Sequence, residues 1–242
     1  PKNPANGIHD FEKAYILYVK RKHPPMCAKR LKLQYYESMS LKSIRKIFRD
    51  AKLIKMKRKK PKTKQSLRDV KKEWALFQQS DVDLKELKDI PEYWPYIQRG
   101  FASYQYTFRE VTSGLQFTAY AKEKSLAYAN LFMQILLQHF ENCGAQLAGF
   151  AIQTDNGSEF IGAWNKKGMT AFTETIESEF KMIHKTIPCS AHTWQADVET
   201  AHRLIEDEFF EVESFTDRKD FLEKVGSYLL WFNTVRKNSY KE

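Results

Sequence analysis

Ile152-Gln153-Thr154-Asp155-Asn156-Gly157-Ser158-Glu159-Phe160 carries the end of a short apolar run into a tight turn. Residues 147–154 have the length and apolar continuity of a strand buried on both faces within a sheet. Asn-Gly then forces the chain to turn. Asp155 therefore stands at the carboxyl edge of the predicted sheet, where open α/β folds place their sites. Taken alone, Asp-Asn-Gly is also an ordinary turn with no chemistry attached, so the meaning of Asp155 depends on what surrounds it.

Upstream, the chain reads as strands and turns from Trp74 onward. Residues 77–87, 104–111 and 115–121 are predicted strands, and Thr112-Ser113-Gly114 is a hairpin turn between the last two. Ser125 opens a helix predicted to pack through Tyr128, Leu131, Phe132, Ile135, Leu136 and His139 and to end at Cys143-Gly144. Downstream, residues 169–180 read as a helix and 181–187 as a fifth strand, with closing helices over 195–210 and 218–233. Meander strands, a crossover helix and further strands predict an α/β layer fold with mixed strand directions. No internal repeat is present.

The front of the chain has a different character. Phe11, Ala14, Tyr15 and Tyr18 recur at helical spacing until Pro24-Pro25, and residues 28–36 read as a second helix. Ser40 caps a third, with Leu41, Ile44, Ile47, Phe48 and Ala51 inward and Lys42, Arg45, Lys46 and Arg49 outward. Three short helices with a basic outer face on the last suit a helix-turn-helix, though a generic three-helix bundle has the same pattern. Lys55-Met56-Lys57-Arg58-Lys59-Lys60-Pro61-Lys62-Thr63-Lys64-Gln65 has no hydrophobic period and predicts an extended linker along phosphates; a nuclear-targeting peptide is the rival reading.

Charge follows the same division. Residues 1–75 hold 23 Lys/Arg against 6 Asp/Glu, a net +17, which leaves 17 against 24, a net −7, for the rest. A basic arm before an acidic core suits nucleic-acid binding joined to carboxylate chemistry, because phosphate neutralisation drives affinity while hard metals need oxygen ligands. A solvated basic surface is the plainer explanation. With 42% hydrophobic and 14% aromatic residues among 242, the chain has material for one substantial core and a small satellite. No run approaches the roughly 20 apolar residues of a membrane span, and the expected location is cytoplasmic. Cys27, Cys143 and Cys189 are odd in number and far apart, which disfavours a disulfide framework or a zinc module. The chain opens without Met and closes soon after a helical pattern, so it is expected to be a piece of a longer protein, cut on its C-terminal side.

Thr154-Asp155-Asn156-Gly157-Ser158-Glu159-Phe160 resembles the second catalytic motif of the retroviral-integrase and insertion-sequence transposase superfamily, and the stretch around Glu199 resembles the third as bacterial insertion-sequence transposases carry it. The resemblance spans about residues 75–240. It implies a ribonuclease H-like mixed five-stranded sheet flanked by helices, with an earlier Asp on the first strand and a later Glu on a helix. Asp83, in Val82-Asp83-Leu84-Lys85-Glu86-Leu87, resembles the first motif, with a basic residue two places on and Leu four places on. Asp81 competes, since residues two apart share one face of a strand, although Lys85 stands four places beyond it. Glu199, in Trp194-Gln195-Ala196-Asp197-Val198-Glu199-Thr200-Ala201-His202-Arg203-Leu204, is similar to the third motif. Helical spacing puts Val198, Ala201, Ile205 and Phe209 on a buried stripe beside a face with Glu199, His202, Arg203 and Glu206. The 44 residues from Asp155 to Glu199 exceed the spacing of compact retroviral enzymes, and the length around Trp164-Asn165-Lys166-Lys167-Gly168 accounts for the excess.

The resemblance implies a DNA transposase or integrase that cuts at element ends and joins 3′-hydroxyl ends to target DNA. Asp83, Asp155 and Glu199 would hold two Mg2+ or Mn2+ ions, and the partners would be double-stranded DNA and further copies of the chain. Lys42, Arg45, Lys46, Arg49, Asn156, His202 and Arg203 are candidate DNA contacts. His192 and Trp194 are candidates for flanking DNA, with Trp194 equally suited to anchoring a core. The domains implied are a helix-turn-helix over 8–54, a basic linker over 55–73 and the catalytic core over 74–242. A catalytically inactive DNA-binding protein on the same scaffold, or a nuclease that cuts without joining, are the alternatives.

Overall fold

The computed structural model describes residues 8–53, 71, 73–163, 168–188 and 191–237, which divide into a small unit and a larger one. The basic run from Lys55 to Gln65 and the loop residues 164–167 lie outside the described residues, as does Cys189.

The small unit holds α1 (Asp10–Lys22), α2 (Ala28–Tyr35) and α3 (Leu41–Asp50). Ser40 caps α3 by accepting a hydrogen bond from the Ser43 amide at 3.1 Å, which satisfies one of the amides a helix start leaves open. Ile44, Ile47 and Phe48 go inward from α3, while Lys42, Arg45, Lys46 and Arg49 are all exposed. On α1 the expected face is the wrong one. Ile16 and Val19 are buried, and Phe11, Tyr15 and Tyr18 face out. Both sides of that helix carry apolar residues, so spacing alone cannot choose between them.

The larger unit is built on β1 (Gln79–Glu86), β2 (Tyr104–Glu110), β3 (Gln116–Ala121), β4 (Ala151–Thr154) and β5 (Ile183–Thr186), in the spatial order β3-β2-β1-β4-β5. β1 is antiparallel to β2 and parallel to β4; β2 and β3 are antiparallel, and β4 and β5 parallel. The result is a mixed five-stranded sheet flanked by helices, as expected from the sequence. The β2–β3 hairpin closes over the buried Glu110 carboxylate, which accepts from the Thr112 amide at 3.0 Å and the Phe77 amide at 3.1 Å. Gly114 takes φ 78° there, a conformation that costs a residue with a Cβ.

The larger unit has two hydrophobic cores. On one face Val82, Tyr106, Phe108 and Ile152 pack against α5 (Leu126–Asn142), whose start is capped by Ser125. That helix is rotated from expectation. Phe132 and Leu136 are buried as predicted, but they are joined by Ala129, Met133, Leu137 and Phe140, whereas Tyr128, Leu131, Ile135 and His139 are exposed. The second core gathers Leu87, Ile90 and Tyr93, from the short segment after β1 that includes α4 (Trp94–Gln98), with Phe209, Phe210 and residues of the closing helix. Sequence patterning did not reveal this β1–β2 insertion as an element, because its helical turns are too short to show a period.

Among the described residues the remaining helices are α6 (Ser158–Ile161), α7 (Ala171–Glu174, continued by a wider turn over Thr175–Glu179), α8 (Ala196–Ile205, continued over Glu206–Phe210) and α9 (Arg218–Thr234). Val198, Ala201, Ile205 and Phe209 are buried along α8, as predicted. Among the described residues no helix is long and apolar enough to cross a membrane.

Candidate active site

β1 divides its side chains between two environments. Val82 and Leu84 enter the apolar core under α5, while Asp81, Asp83 and Lys85, on the alternate positions, face α8. Register extends this polar face across the sheet, since Asp81 pairs with Arg109, Asp83 with Thr107 and Lys85 with Gln105. These β2 side chains are buried: Gln105 Nε2 donates to Thr107 Oγ1 at 2.9 Å, Thr107 Oγ1 lies 2.9 Å from His202 Nε2 on α8, and Arg109 donates to the Gly114 carbonyl. Such pairing is what makes a buried polar layer tolerable.

The parallel pairing of β1 with β4 sets Asp81 beside Gln153. Two residues further along the chain stand Asp83, midway along β1, and Asp155, just past the carboxyl end of β4. Asp155 is fixed by its own turn, with Oδ1 accepting from the Gly157 amide at 2.8 Å. Asn156 Nδ2 donates to the Ile187 carbonyl at 2.9 Å, which ties the turn to the chain leaving β5. Behind them Thr154 Oγ1 lies 2.9 Å from His184 Nε2, and Thr173 Oγ1 2.9 Å from His184 Nδ1. Burial pushes His184 down to about 4, against the raising charge of Glu177.

Asp81 and Asp83 share a face but not an electrostatic environment. Asp81 is fully buried; Oδ1 accepts from Gln79 Nε2 at 3.1 Å and Gln153 Nε2 at 3.2 Å, and Oδ2 lies 3.8 Å from Lys71 Nζ. Burial lifts its pKa to about 6, with Lys71 and Gln79 opposing and Asp197 adding to the rise. Lys71 also reaches Asp197 Oδ2 at 2.6 Å and the Trp194 carbonyl at 3.4 Å, so it pins the start of α8 to β1. Asp83 has no such lysine among the described residues. Burial pushes it up to about 7; the Leu84 amide, donating to Oδ1 at 2.8 Å, pulls the other way, and the charges of Asp155, Glu159 and Glu199 raise it further. Asp83 thus has three carboxylates for neighbours, and Asp81 a lysine and two amides.

α8 delivers Glu199 to this group. Glu199 is exposed, and one turn on His202 is buried, with Nδ1 3.7 Å from Asp83 Oδ2. Burial foremost, then the charge of Lys85, holds His202 down to about 3. His202, expected among the DNA contacts, is buried against the polar layer under Asp83, with Nε2 2.9 Å from Thr107 Oγ1. Arg203 is exposed, and Lys85 pairs with Glu206 at 3.0 Å. Trp194 is 45% exposed, which rules out a core anchor, and the side chain of His192 lies outside the described residues.

Two groups at this edge were not singled out from the sequence. Glu159 lies inside the motif but reads as a helix-start residue, and Lys124 lies in the loop before α5 with no pattern to mark it. Their ion pair, 3.0 Å from Nζ to Oε1, appears only in three dimensions.

By donor type the cluster fits a hard divalent cation, which prefers oxygen ligands, and it leaves Asp83 among like charges with no lysine or arginine paired to it among the described residues. Among those residues, no three His, Cys, Asp or Glu side chains are arranged to hold a metal ion as they stand.

No family model matches the sequence, and no curated protein matches it. Among solved structures, the chain is similar to the crystal structure of the catalytic core domain of BIV integrase. That similarity covers 66% of this chain and 86% of the other, with 15% identity and a TM-score of 0.46.

Proposed function

We propose that the chain is a DNA transposase or integrase of the insertion-sequence type, with Asp83, Asp155 and Glu199 as its metal-holding carboxylates. The observation that carries this reading is that Asp83 on β1 and Asp155 just past the end of β4 stand on two adjacent parallel strands, with Glu159 and Glu199 near enough for their charges to act on Asp83. Asp83 is favoured over Asp81 because a carboxylate already held by Lys71 and two amides has less to offer a metal.

Bound at these carboxylates, two Mg2+ or Mn2+ ions would activate an attacking oxygen and stabilise the leaving one. Asp83 would hold the ions from the middle of β1 and Asp155 from the turn after β4, and Glu199 would complete a site from α8. In the metal-free protein burial and like-charged neighbours raise Asp83 to about 7, so a divalent ion binds there in competition with a proton. No side chain in the cluster acts as nucleophile; water attacks in cutting, and a DNA 3′-hydroxyl attacks in joining. The exposed Lys42, Arg45, Lys46 and Arg49 of α3 would meet DNA as part of a helix-turn-helix within residues 8–54, followed by a basic linker over 55–73 and the catalytic core over 74–242. Asn156 and Arg203 would meet DNA near the cut, and several copies would assemble on it.

The test incubates the protein and Mn2+ with supercoiled plasmid and a library of duplexes with recessed 3′-hydroxyl ends. Joined products support the proposal. Nicks without joining point to a nuclease, and binding without chemistry to a DNA-binding protein. Asp155→Asn and Glu199→Gln are each expected to abolish cutting while duplex binding persists; cutting at the wild-type rate in either variant removes that residue from the site.

A further inference from the structure

We propose that Glu159 is a fourth carboxylate of the cation site and that Lys124 is its counter-ion in the metal-free protein, displaced when a divalent ion binds. The inference rests on the reading of Asp83, Asp155 and Glu199 as metal-holding, and deepens it.

Glu159 begins two residues after the Asp155 turn and folds back over it. A Cβ placed on Gly157 would stand 2.6 Å from the Glu159 carboxyl carbon and 2.6–2.7 Å from its oxygens, so the carboxylate lies in the space a side chain at 157 would fill. Glu159 is 3% exposed. Oε1 meets Lys124, and Oε2 is buried with no hydrogen-bond partner among the described residues. A buried carboxylate oxygen with nothing to accept is costly unless a ligand completes it. It adjoins the cluster already described, because it lies over Gly157, whose amide donates to Asp155 Oδ1 at 2.8 Å, and its charge acts on Asp83.

Lys124 has the properties of a removable stand-in. Its ammonium pairs with Glu159 and also feels the charge of Asp155. Its side chain is 39% exposed, on the loop between β3 and α5, so it can swing into water with little loss of packing. One monovalent ammonium against Asp83, Asp155, Glu159 and Glu199 leaves most of their charge uncompensated. A divalent ion takes more oxygens and carries twice the charge, so it competes for the same place.

The test is Mn2+ titration of the whole chain by calorimetry, with Asp155→Asn as the control on the site itself. Glu159→Gln is expected to weaken Mn2+ binding by about tenfold or more. Lys124→Met is expected to tighten binding severalfold, and to have no such effect in the Glu159→Gln background. Should Asp155→Asn lose affinity while Glu159→Gln and Lys124→Met both bind as the wild type does, Glu159–Lys124 is a structural ion pair and the proposal is overturned. Should the wild type bind no Mn2+, or Asp155→Asn bind it unchanged, the metal-holding reading fails first, and this proposal with it. Where Glu159→Gln does not fold, Lys124→Met decides alone, since unchanged Mn2+ affinity in that variant also overturns the proposal.

Discussion

Asp83→Asn is expected to stabilise the metal-free protein, and more so at alkaline than at acid pH. The folded chain raises the Asp83 carboxyl from an ordinary value of 3.8 to about 7, so between those values the native state holds a proton that the unfolded state has released. Stability then falls as pH rises through the window, because the unfolded state binds fewer protons than the native one. A rise of about three units corresponds to a penalty of roughly 4 kcal/mol above pH 8 and somewhat under 2 kcal/mol at pH 5. Asparagine keeps the shape and an oxygen for the Leu84 amide, which donates at 2.8 Å, and carries no charge. Urea unfolding in EDTA should therefore show Asp83→Asn gaining about 2–3 kcal/mol more on the wild type at pH 8 than at pH 5. Asp81, also raised, is present in both proteins and cancels in the difference. Adding Mn2+ should restore much of the wild type's stability at pH 8 and little of the variant's. A variant whose advantage is the same at both pH values, or which is less stable at pH 8, refutes the picture of Asp83 as a buried carboxylate among like charges.

Lys71→Met strands the buried Asp81 and frees the start of α8, so a loss of about 2–4 kcal/mol is expected in urea unfolding, with faster hydrogen exchange in the first turns of α8; unchanged stability would show that Lys71 pins nothing. Ser40→Ala removes the cap of α3 and should cost the small unit about 1 kcal/mol, measured as a shift in its own melting transition. Replacing Arg45 and Lys46 with Gln should reduce the slope of log affinity against log salt by about 0.9 for each phosphate no longer neutralised, and an unchanged slope would remove this face of α3 from the DNA interface.

Much of the scaffold was legible because local patterns carried it. The apolar run ending at Thr154, the hairpin at Thr112-Ser113-Gly114, the caps at Ser40 and Ser125 and the buried stripe of α8 each depend on neighbours a few residues away. Asp155 was placed at the sheet edge for the same reason, since a strand followed by Asn-Gly has few other places to put it. Helix faces were less legible where apolar residues run most of the way round. On α5 Phe132 and Leu136 lie near the boundary of two possible stripes, and only the packing against β1, β2 and β4 selects Met133, Leu137 and Phe140 over Leu131, Ile135 and His139.

The carboxylates show where sequence stops. Period-two geometry put Asp81 and Asp83 on one face and left them equivalent. The parallel register of β1 with β4 then set Gln153 beside Asp81, and Lys71 and Asp197 closed around it, leaving Asp83 to meet Asp155, Glu159 and Glu199. Those partners come from segments tens of residues apart, so no local period encodes them. Sequence alone established which residue types were available at the sheet edge; the tertiary structure decided which of them share a charge environment, because electrostatic neighbours are set by register and packing rather than by spacing along the chain.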